Sequence, residues 1–304
     1  MSNSDTYSDR IIIDWIAFTT DNDFEISDTI NLNFEWLEMD RGMLGYKSMS
    51  IENTTKIKWL KDGNSDMGQH YIISGQSCRI LESLNISLLD ILRQLNENYT
   101  INITRLDIAM DIFENKTLLK SIVVAYNSDN YRSKAKSSNI IISKDSNGRI
   151  GTTINFGSRQ SAVLIRIYDK AAENDLEVNW VRIEIECKDK KYNKKIINNI
   201  NNLGLAATYK AIINNYLAFL EYRDANISRS KTAKWWDKII DSINKIKLYE
   251  APKTKTLDEI KRWLINQTSA SFATVLQSEQ SRSFIDEMLV EGTRKMKNKH
   301  WNMV

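Results

Sequence analysis

Hydrophobic and polar residues alternate along three runs of the chain, at 104–111, 162–170 and 181–187. Successive side chains of a β-strand point to opposite faces, so each run predicts a strand with one apolar and one polar face. If the three strands share a sheet, the apolar face would lie on a core and the polar face would collect charge. That polar face would carry Arg105, Asp107, Asp111, Arg166, Tyr168, Lys170, Arg182, Glu184 and Glu186.

The remaining pattern predicts further strands and helices around this sheet. Runs of β-branched and apolar residues indicate strands, and apolar residues spaced three or four apart indicate helices. We expect strands at 10–19, 69–74, 140–143 and 151–157, with short ones near 46 and at 56–59. We expect helices at 32–39, 77–97, 114–127, 206–223, 234–248, 257–266 and from about 271. These elements indicate an α+β fold with a mostly antiparallel central sheet that carries the polar site on one face.

The character of the chain changes near residue 190. Nearly all of the predicted strands precede this point, and a helical pattern with a lysine-rich start follows it. We therefore predict a sheet-based domain at 1–190, including the N-terminal strand region, and a helical region at 191–304. The single proline, Pro252, falls in a lysine-rich stretch that indicates a linker.

Composition limits the class of protein further. The chain has 304 residues, of which 42% are hydrophobic, enough to bury a substantial core. Its net charge of +3 permits nucleic-acid binding without requiring it. Cys78 and Cys187 lie far apart, which favours two reduced thiols over a disulfide. The N-terminal residues are polar and acidic, and no apolar run is long enough for a membrane span, so we expect a soluble cytoplasmic protein without a membrane partner.

Four carboxylates on one sheet face would repel one another unless positive charge compensates them. Arg105, Arg166 and Arg182 could do so as a structural ion-pair network. Alternatively, a divalent cation could take carboxylate oxygens and leave the arginines for phosphate. The two histidines, His70 and His300, have no His-x-His spacing, so a metal would rely on oxygen ligands, which favours Mg²⁺ or Mn²⁺. His70 could be one ligand or an ordinary hydrogen-bonded residue of a strand.

Tyr168 is the best candidate nucleophile among the tyrosines because of its neighbours. Arg166 and Lys170 share its predicted face. A phenol with an ordinary pKa of about 10 needs nearby positive charge and a polarised phosphate to attack at neutral pH. A tyrosine in a strand can equally be a packing residue, because aromatic residues favour strands.

At these residues the chain resembles the Rep_trans replication-initiation family, which contains rolling-circle plasmid initiators and related relaxases of mobile elements. The matching stretches are MGQHYIISGQSCR (67–79), TRLDIAMDIFE (104–114), GTTINFGSRQS (151–161), IRIYDKAAE (165–173) and WVRIEIECK (180–188). A weaker match lies at 256–276, and the resemblance extends from about 10 to 276. Each stretch alone would be a weak signal, but five stretches in the same order with compatible spacing are a specific one.

The resemblance implies a metal-dependent enzyme that nicks and later rejoins one DNA strand at an origin. Tyr168 would attack the scissile phosphate, become linked to the 5′ end and leave a free 3′-OH. Asp107 and Glu184 would be the main ligands of Mg²⁺ or Mn²⁺. The remaining residues implied at the site are Asp111 and Glu186 as further ligands or charge partners, and Arg166, Lys170 and Arg159 as phosphate-binding residues.

The resemblance also implies partners. A tyrosine nucleophile acts on single-stranded DNA, so double-stranded origin recognition would fall to the helical region at 191–304, together with dimerisation. A host helicase and a host polymerase would act on the nicked origin, and we expect a homodimer. The positive residues expected to contact DNA in this region are Lys231, Lys234, Lys238, Lys253, Lys255, Lys261 and Arg262.

Other functions remain open from the sequence. A relaxase of a conjugative or mobilisable element would use the same chemistry as a plasmid initiator. A metal-dependent nuclease with water as nucleophile would keep the carboxylates and not need Tyr168. A non-catalytic origin-binding regulator would use the acids and arginines only as structural ion pairs, and its C-terminal lysines could be a solvated face.

Overall fold

The computed structural model describes residues 8–21, 24–98, 100–144, 148, 150–174, 176–243, 257–277 and 281–296. Several predicted features lie outside the described residues: most of the turn at 146–148, the linker around Pro252 with Lys253 and Lys255, and His300.

The centre of the fold is a large antiparallel sheet. The strands are β1 (Arg10–Thr20), β2 (Trp36–Met39), β3 (Ser48–Glu52), β4 (Lys58–Lys61), β5 (Gln69–Ile73), β6 (Asn102–Phe113), β7 (Tyr131–Ser133), β8 (Ser138–Lys144), β9 (Ile150–Phe156), β10 (Val163–Asp169), β11 (Trp180–Cys187) and β12 (Leu217–Phe219). Ten of them form one sheet in the order β2-β3-β4-β5-β1-β6-β11-β10-β9-β8, and β7 pairs with β12. The predicted α+β fold with an antiparallel central sheet is confirmed.

Helices pack on the apolar face of this sheet. The helices of the described residues are α1 (Gly75–Ser83), α2 (Leu88–Glu97), α3 (Leu118–Asn127), α4 (Lys170–Glu173), α5 (Lys190–Leu203), α6 (Leu205–Tyr216), α7 (Lys234–Ser242), α8 (Leu257–Leu276) and α9 (Ser281–Lys295), of which α4 borders the polar face and α8 and α9 belong to a separate compact unit. Ile108 of β6 and Ile183 of β11 share one buried cluster with Ile197 of α5 and Trp236 of α7. The Tyr209 hydroxyl of α6 donates to the Ile183 carbonyl at 2.8 Å. Burial of this face leaves the opposite, polar face of β6, β10 and β11 open.

One predicted helix is wrong and another is wrong in part, because tertiary contacts override local spacing. The predicted helix at 32–39 contains strand β2 instead, whose Trp36 packs on Trp59 of β4 with ring centroids 5.2 Å apart. The predicted helix at 206–223 ends at Tyr216, and the chain continues as strand β12 against β7.

Helix boundaries also differ from the prediction elsewhere. The predicted helix at 77–97 is two helices, because Asn85 has a positive φ of 60° and Ser87 caps the N-terminus of α2. The helices predicted at 257–266 and from about 271 are joined in α8, and α9 follows as a separate helix.

The chain forms two compact units, at Met1–Tyr249 and Glu250–Val304. The first unit contains the sheet together with α1 to α7, and the second contains α8 and α9. The assignment of nicking to 1–190 and of DNA recognition and dimerisation to 191–304 stays a prediction. Both cysteines are buried free thiols. Within the described residues, every helix is too short or too polar to cross a bilayer.

His70 lies on β5, buried against Tyr46, with the two ring centroids 5.9 Å apart. Burial lowers its pKa from 6.5 to about 4. The unfolded chain therefore binds more protons than the folded chain between these two values, and stability should fall as pH falls through that window. His70 is not part of the acidic cluster described below.

We expect the free energy of unfolding to decrease by about 2 kcal/mol more between pH 7 and pH 5 in the wild type than in His70→Gln. The reason is that the variant has no imidazole to protonate on unfolding. Urea denaturation at the two pH values measures the difference. Equal pH dependence in the two proteins would contradict the lowered pKa of His70.

Candidate active site

Three neighbouring strands bring the polar side chains together. The register sets Asp107 of β6 opposite Glu186 of β11 and sets Glu184 opposite Arg166 of β10. Tyr168 lies opposite Arg182 by the same pairing. Because directly opposite residues share a face, these side chains project from the side of the sheet that the helices leave open.

Strand β1 adds two residues that strict alternation does not predict. Its pairing with β6 shifts register between Ile13 and Trp15. Such a bulge changes which side chains share a face. As a result, both Asp14 and Trp15 line the cleft above the sheet. Asp14, an acidic residue inside an otherwise apolar strand, is the sequence signal that could have indicated a residue of this cleft.

A cluster of three buried carboxylates occupies the middle of this face. Asp107, Glu184 and Glu186 each offer an oxygen within 4.8 Å of the others, the arrangement that could hold a metal ion. Arg105 contacts Asp107 at 2.6 Å and Glu186 at 2.8 Å. Arg166 pairs with Glu184 and lies 3.5 Å from Glu186. The structure thus brings three of the four predicted ligands together, already in contact with two arginines.

The three carboxyl groups differ in their electrostatics. Burial, with the neighbouring charges of Glu184 and Glu186, raises the pKa of Asp107 to about 8 despite the Arg105 contact. Burial also acts to raise the pKa of Glu186, but Lys188 and the two arginines outweigh it and the pKa is lowered. Ionising Asp107 is therefore unfavourable as the site stands, and an added cation would relieve that cost.

Tyr168 is hydrogen-bonded directly to this cluster. Its hydroxyl donates to Glu184 Oε2 at 2.9 Å, while the other oxygen of Glu184 accepts from Arg166. Burial and the Glu184 charge raise the pKa of the phenol above its ordinary value. The phenol is thus a neutral donor, and Glu184 is the group placed to accept its proton.

Asp111, the fourth predicted ligand, lies in a separate ion-pair network. It accepts from Arg182 at 2.6 and 2.9 Å and from Arg10 at 2.9 Å. Arg182 also contacts Asp14 at 2.7 Å. Burial acts to raise the pKa of Asp111, but Arg182 outweighs it and the pKa is lowered. These contacts fit a structural role, so the ion-pair interpretation describes this part of the face, and a metal at Asp107, Glu184 and Glu186 stays a prediction.

The cleft beside Tyr168 has a volume of about 560 Å³ and reaches from β1 to β8. Lys170 lies in its wall, 5.6 Å from the centre of the Tyr168 ring, and pairs with Glu173 of α4. Arg159 does not line this cleft. It lines an adjoining groove, where its carbonyl accepts from Lys188 at 2.6 Å. Arg166 and Lys170 are therefore placed beside the tyrosine, and Arg159 lies farther along the same surface.

The predicted DNA-binding lysines of the C-terminal part are exposed where the structure describes them. Lys231, Lys234 and Lys238 are exposed, the last two on α7, which packs against the apolar face of the sheet. Lys261 is an exposed residue of α8 in the second unit. The side chain of Arg262 is outside the described part of the chain. Within the first unit, Lys231, Lys234 and Lys238 do not line the cleft, and DNA contact by any lysine of this group stays a prediction.

The class of protein follows from a family match: this is a replication initiation protein. Residues 101–289, more than half of the chain, match the family described as Replication initiation factor (Rep_trans), and the chain belongs to this family.

Two known proteins are similar to the chain along most of its length. It is 25% identical, over 95% of its own length and 86% of the relative's, to the Bacillus subtilis (strain 168) protein designated "Putative DNA relaxase NicK". The solved structure of a rolling circle replication initiator protein from Geobacillus stearothermophilus has a similar fold. It superposes with a TM-score of 0.71 at 24% identity and covers 80% of this chain and 99% of the other.

Proposed function

We propose that this protein starts rolling-circle replication by nicking one strand at a plasmid origin and later rejoining it. The observation that carries the proposal is the Tyr168 hydroxyl, hydrogen-bonded at 2.9 Å to Glu184 inside a cluster of carboxylates and arginines. The family and the fold support a role in replication initiation. A side chain that forms and then releases a covalent bond to DNA allows resealing without ATP.

The step balances as a transesterification. Tyr168 Oη attacks the scissile phosphorus, a new oxygen–phosphorus bond forms, and the bond to the 3′ oxygen breaks. The phenol proton passes to Glu184 Oε2, which already accepts its hydrogen bond. The leaving 3′ oxygen takes a proton from solvent and becomes the free 3′-OH. The 5′ phosphate stays on the tyrosine as a diester.

A divalent cation fits the carboxylate cluster in its chemistry. Asp107, Glu184 and Glu186 are hard oxygen donors of the kind that Mg²⁺ or Mn²⁺ prefers. Such an ion would supply charge that stabilises a phosphate oxygen during the reaction. Arg166 contacts the same carboxylates, so an ion bound there would free this guanidinium to hold phosphate. Lys170, in the cleft wall, is the second candidate for phosphate contact.

A mass-spectrometric experiment tests the nucleophile. The protein would be incubated with Mg²⁺ or Mn²⁺ and labelled single-stranded oligonucleotides that tile a candidate origin, then digested with a protease. We expect a peptide that contains Tyr168 and carries a 5′-linked nucleotide, together with a product that ends in 3′-OH. A free 5′-phosphate without any protein adduct would instead identify a hydrolytic nuclease.

A relaxase of a mobile element is the second candidate, favoured by the likeness over 95% of the chain to "Putative DNA relaxase NicK". It predicts the same adduct, but on a strand from a transfer origin instead of a replication origin. Adduct formation with oligonucleotides from each type of origin separates the two. Binding to origin duplex without cleavage of any oligonucleotide would instead point to a regulator.

We also propose partners for this reaction: origin DNA, a host helicase, a host polymerase and a second copy of the chain. Recognition of the double-stranded origin would fall to the C-terminal region at 191–304, which carries Lys231, Lys234, Lys238 and Lys261. The cleft itself would receive the cleaved single strand. Host helicase and polymerase would act on the nicked product, and the protein would work as a homodimer.

A further inference from the structure

A second groove adjoins the tyrosine cleft on the same face of the sheet. It has a volume of about 600 Å³ and runs over β8, β9 and β10. Arg105, Thr153 and Arg166 line both the cleft and the groove. A strand of DNA whose phosphate lies beside Tyr168 would therefore continue into the groove without leaving the surface.

The charge of the groove suits a nucleic-acid backbone. Arg159 and Lys188 lie at one side of it, and Arg166 lies where it meets the cleft. Its carboxylate, Glu186, contacts Lys188 and Arg105, so its negative charge is compensated within the groove. Positive side chains along a narrow groove are the usual means of holding a single strand.

The floor of the groove carries a pair of amides next to Arg166. Asn155 of β9 lies directly opposite Arg166, and Asn139 of β8 lies directly opposite Asn155. Neighbouring strands are ~4.8 Å apart, so the pair is within one or two strand spacings of Arg166. The Asn155 side-chain amide donates to Asn139 Oδ1 at 2.9 Å. This bond fixes both side chains and leaves Asn155 Oδ1 to accept and Asn139 Nδ2 to donate.

An apolar contact completes the groove. Ile141 of β8 lies opposite Thr153 and is 50% exposed, so its side chain is available to the flat face of a base or to a sugar. An adjacent acceptor and donor match the polar edge of a base, and asparagine is a side chain that commonly reads such edges. Phosphate, base plane and base edge would each have a matching contact.

We propose that this groove binds nucleotides of the single strand that flank the scissile phosphate, and that Asn155, positioned by Asn139, reads one base there. The inference rests on the proposed nicking function and adds to it the residues that select the sequence around the nick. The Arg159 side of the groove follows the backbone, and the asparagine pair supplies specificity.

The experiment selects adducts from a pool of single-stranded oligonucleotides of random sequence. Wild type, Asn155→Ala and Asn96→Ala would each be incubated with the oligonucleotide pool in the presence of Mn²⁺. Sequencing of the DNA that becomes covalently bound gives the base preference at each position. Asn96→Ala is the matched control, because Asn96 donates to Asn198 Oδ1 at 3.0 Å in an equally exposed pair between α2 and α5. Asn155→Ala should lose about tenfold preference at one position near the nick, and Asn96→Ala should lose none.

A parallel measurement of single-strand binding by fluorescence anisotropy, without divalent cation, separates this inference from the proposed function. In one outcome, wild type forms no adduct while Asn155→Ala still weakens binding of oligonucleotides that carry one particular base at one position. That result would contradict the proposed nicking function and support the proposed role of the groove. If wild type forms adducts with a base preference that Asn155→Ala retains, the groove inference is overturned and nicking stands. Absence of single-strand binding by wild type overturns the groove as well.

Discussion

Replacement of Tyr168 by phenylalanine is expected to abolish the covalent protein–DNA adduct and to reduce strand cleavage by at least about 10³-fold. The change removes only the hydroxyl oxygen, which is the atom proposed to attack phosphorus. No other described tyrosine has its hydroxyl bonded to the carboxylate cluster, so a neighbouring phenol should not replace it. Denaturing gels of labelled oligonucleotide with each protein measure both the adduct and the cleaved strand.

The fold should survive this change. Tyr168 makes one side-chain hydrogen bond, to Glu184, whose other oxygen remains paired with Arg166. Loss of one such bond costs about 1–3 kcal/mol. Tyr131→Phe is the matched control, because it removes a hydroxyl that shares a 2.9 Å hydrogen bond with Ser138, and neither residue lines the cleft beside Tyr168. The control should cleave normally. Equal cleavage by Tyr168→Phe and wild type would transfer the role of nucleophile to water.

Replacement of Glu184 by glutamine is expected to lower cleavage by on the order of 10²–10³-fold, through two combined losses. The amide cannot accept the Tyr168 proton, and the cluster loses one of the three carboxyl groups proposed to hold the ion. We also expect Mg²⁺ or Mn²⁺ to raise the melting temperature of the wild type, because a ligand that binds only the folded state stabilises it. The variant should lose most of this shift. Thermal unfolding with and without each ion measures it.

The matched control for this variant is Glu173→Gln. Glu173 lines the same cleft and pairs with Lys170, but it is half exposed and lies outside the cluster of three carboxylates. It should keep the metal-dependent shift in melting temperature. The ion-pair interpretation makes the opposite forecast: no metal-dependent shift in wild type, and a loss of stability in Glu184→Gln from the broken contact with Arg166. That result would remove the metal from the proposed mechanism.

Alternation of side chains allowed much of the site to be predicted. The runs at 104–111, 162–170 and 181–187 became β6, β10 and β11, and the predicted polar side chains share the open face of the sheet. Strand alternation is a local property, because it follows from the backbone geometry of each residue and its neighbours. The tyrosine and its arginine could therefore be placed on one face before any long-range contact was known.

The arrangement across strands needed the tertiary structure. Pairing of β6 with β11 joins Asp107 to Glu184 and Glu186, while Asp111 contacts Arg10 and Arg182 instead. The two acids of each strand have the same parity, Asp107 with Asp111 and Glu184 with Glu186, so alternation could not distinguish them. Strand order and register come from long-range pairing, which no short window of sequence contains.

The sequence by itself determined the three strands of the site, their polar face, the candidate tyrosine and the family resemblance. Only the tertiary structure decided which acids meet, that the bulge in β1 adds Asp14, and that 36–39 is a strand beside β3. The physical reason is the range of the interactions. Periodicity and turn chemistry act between near neighbours, whereas a cluster of charges depends on which distant strands pair and in what register.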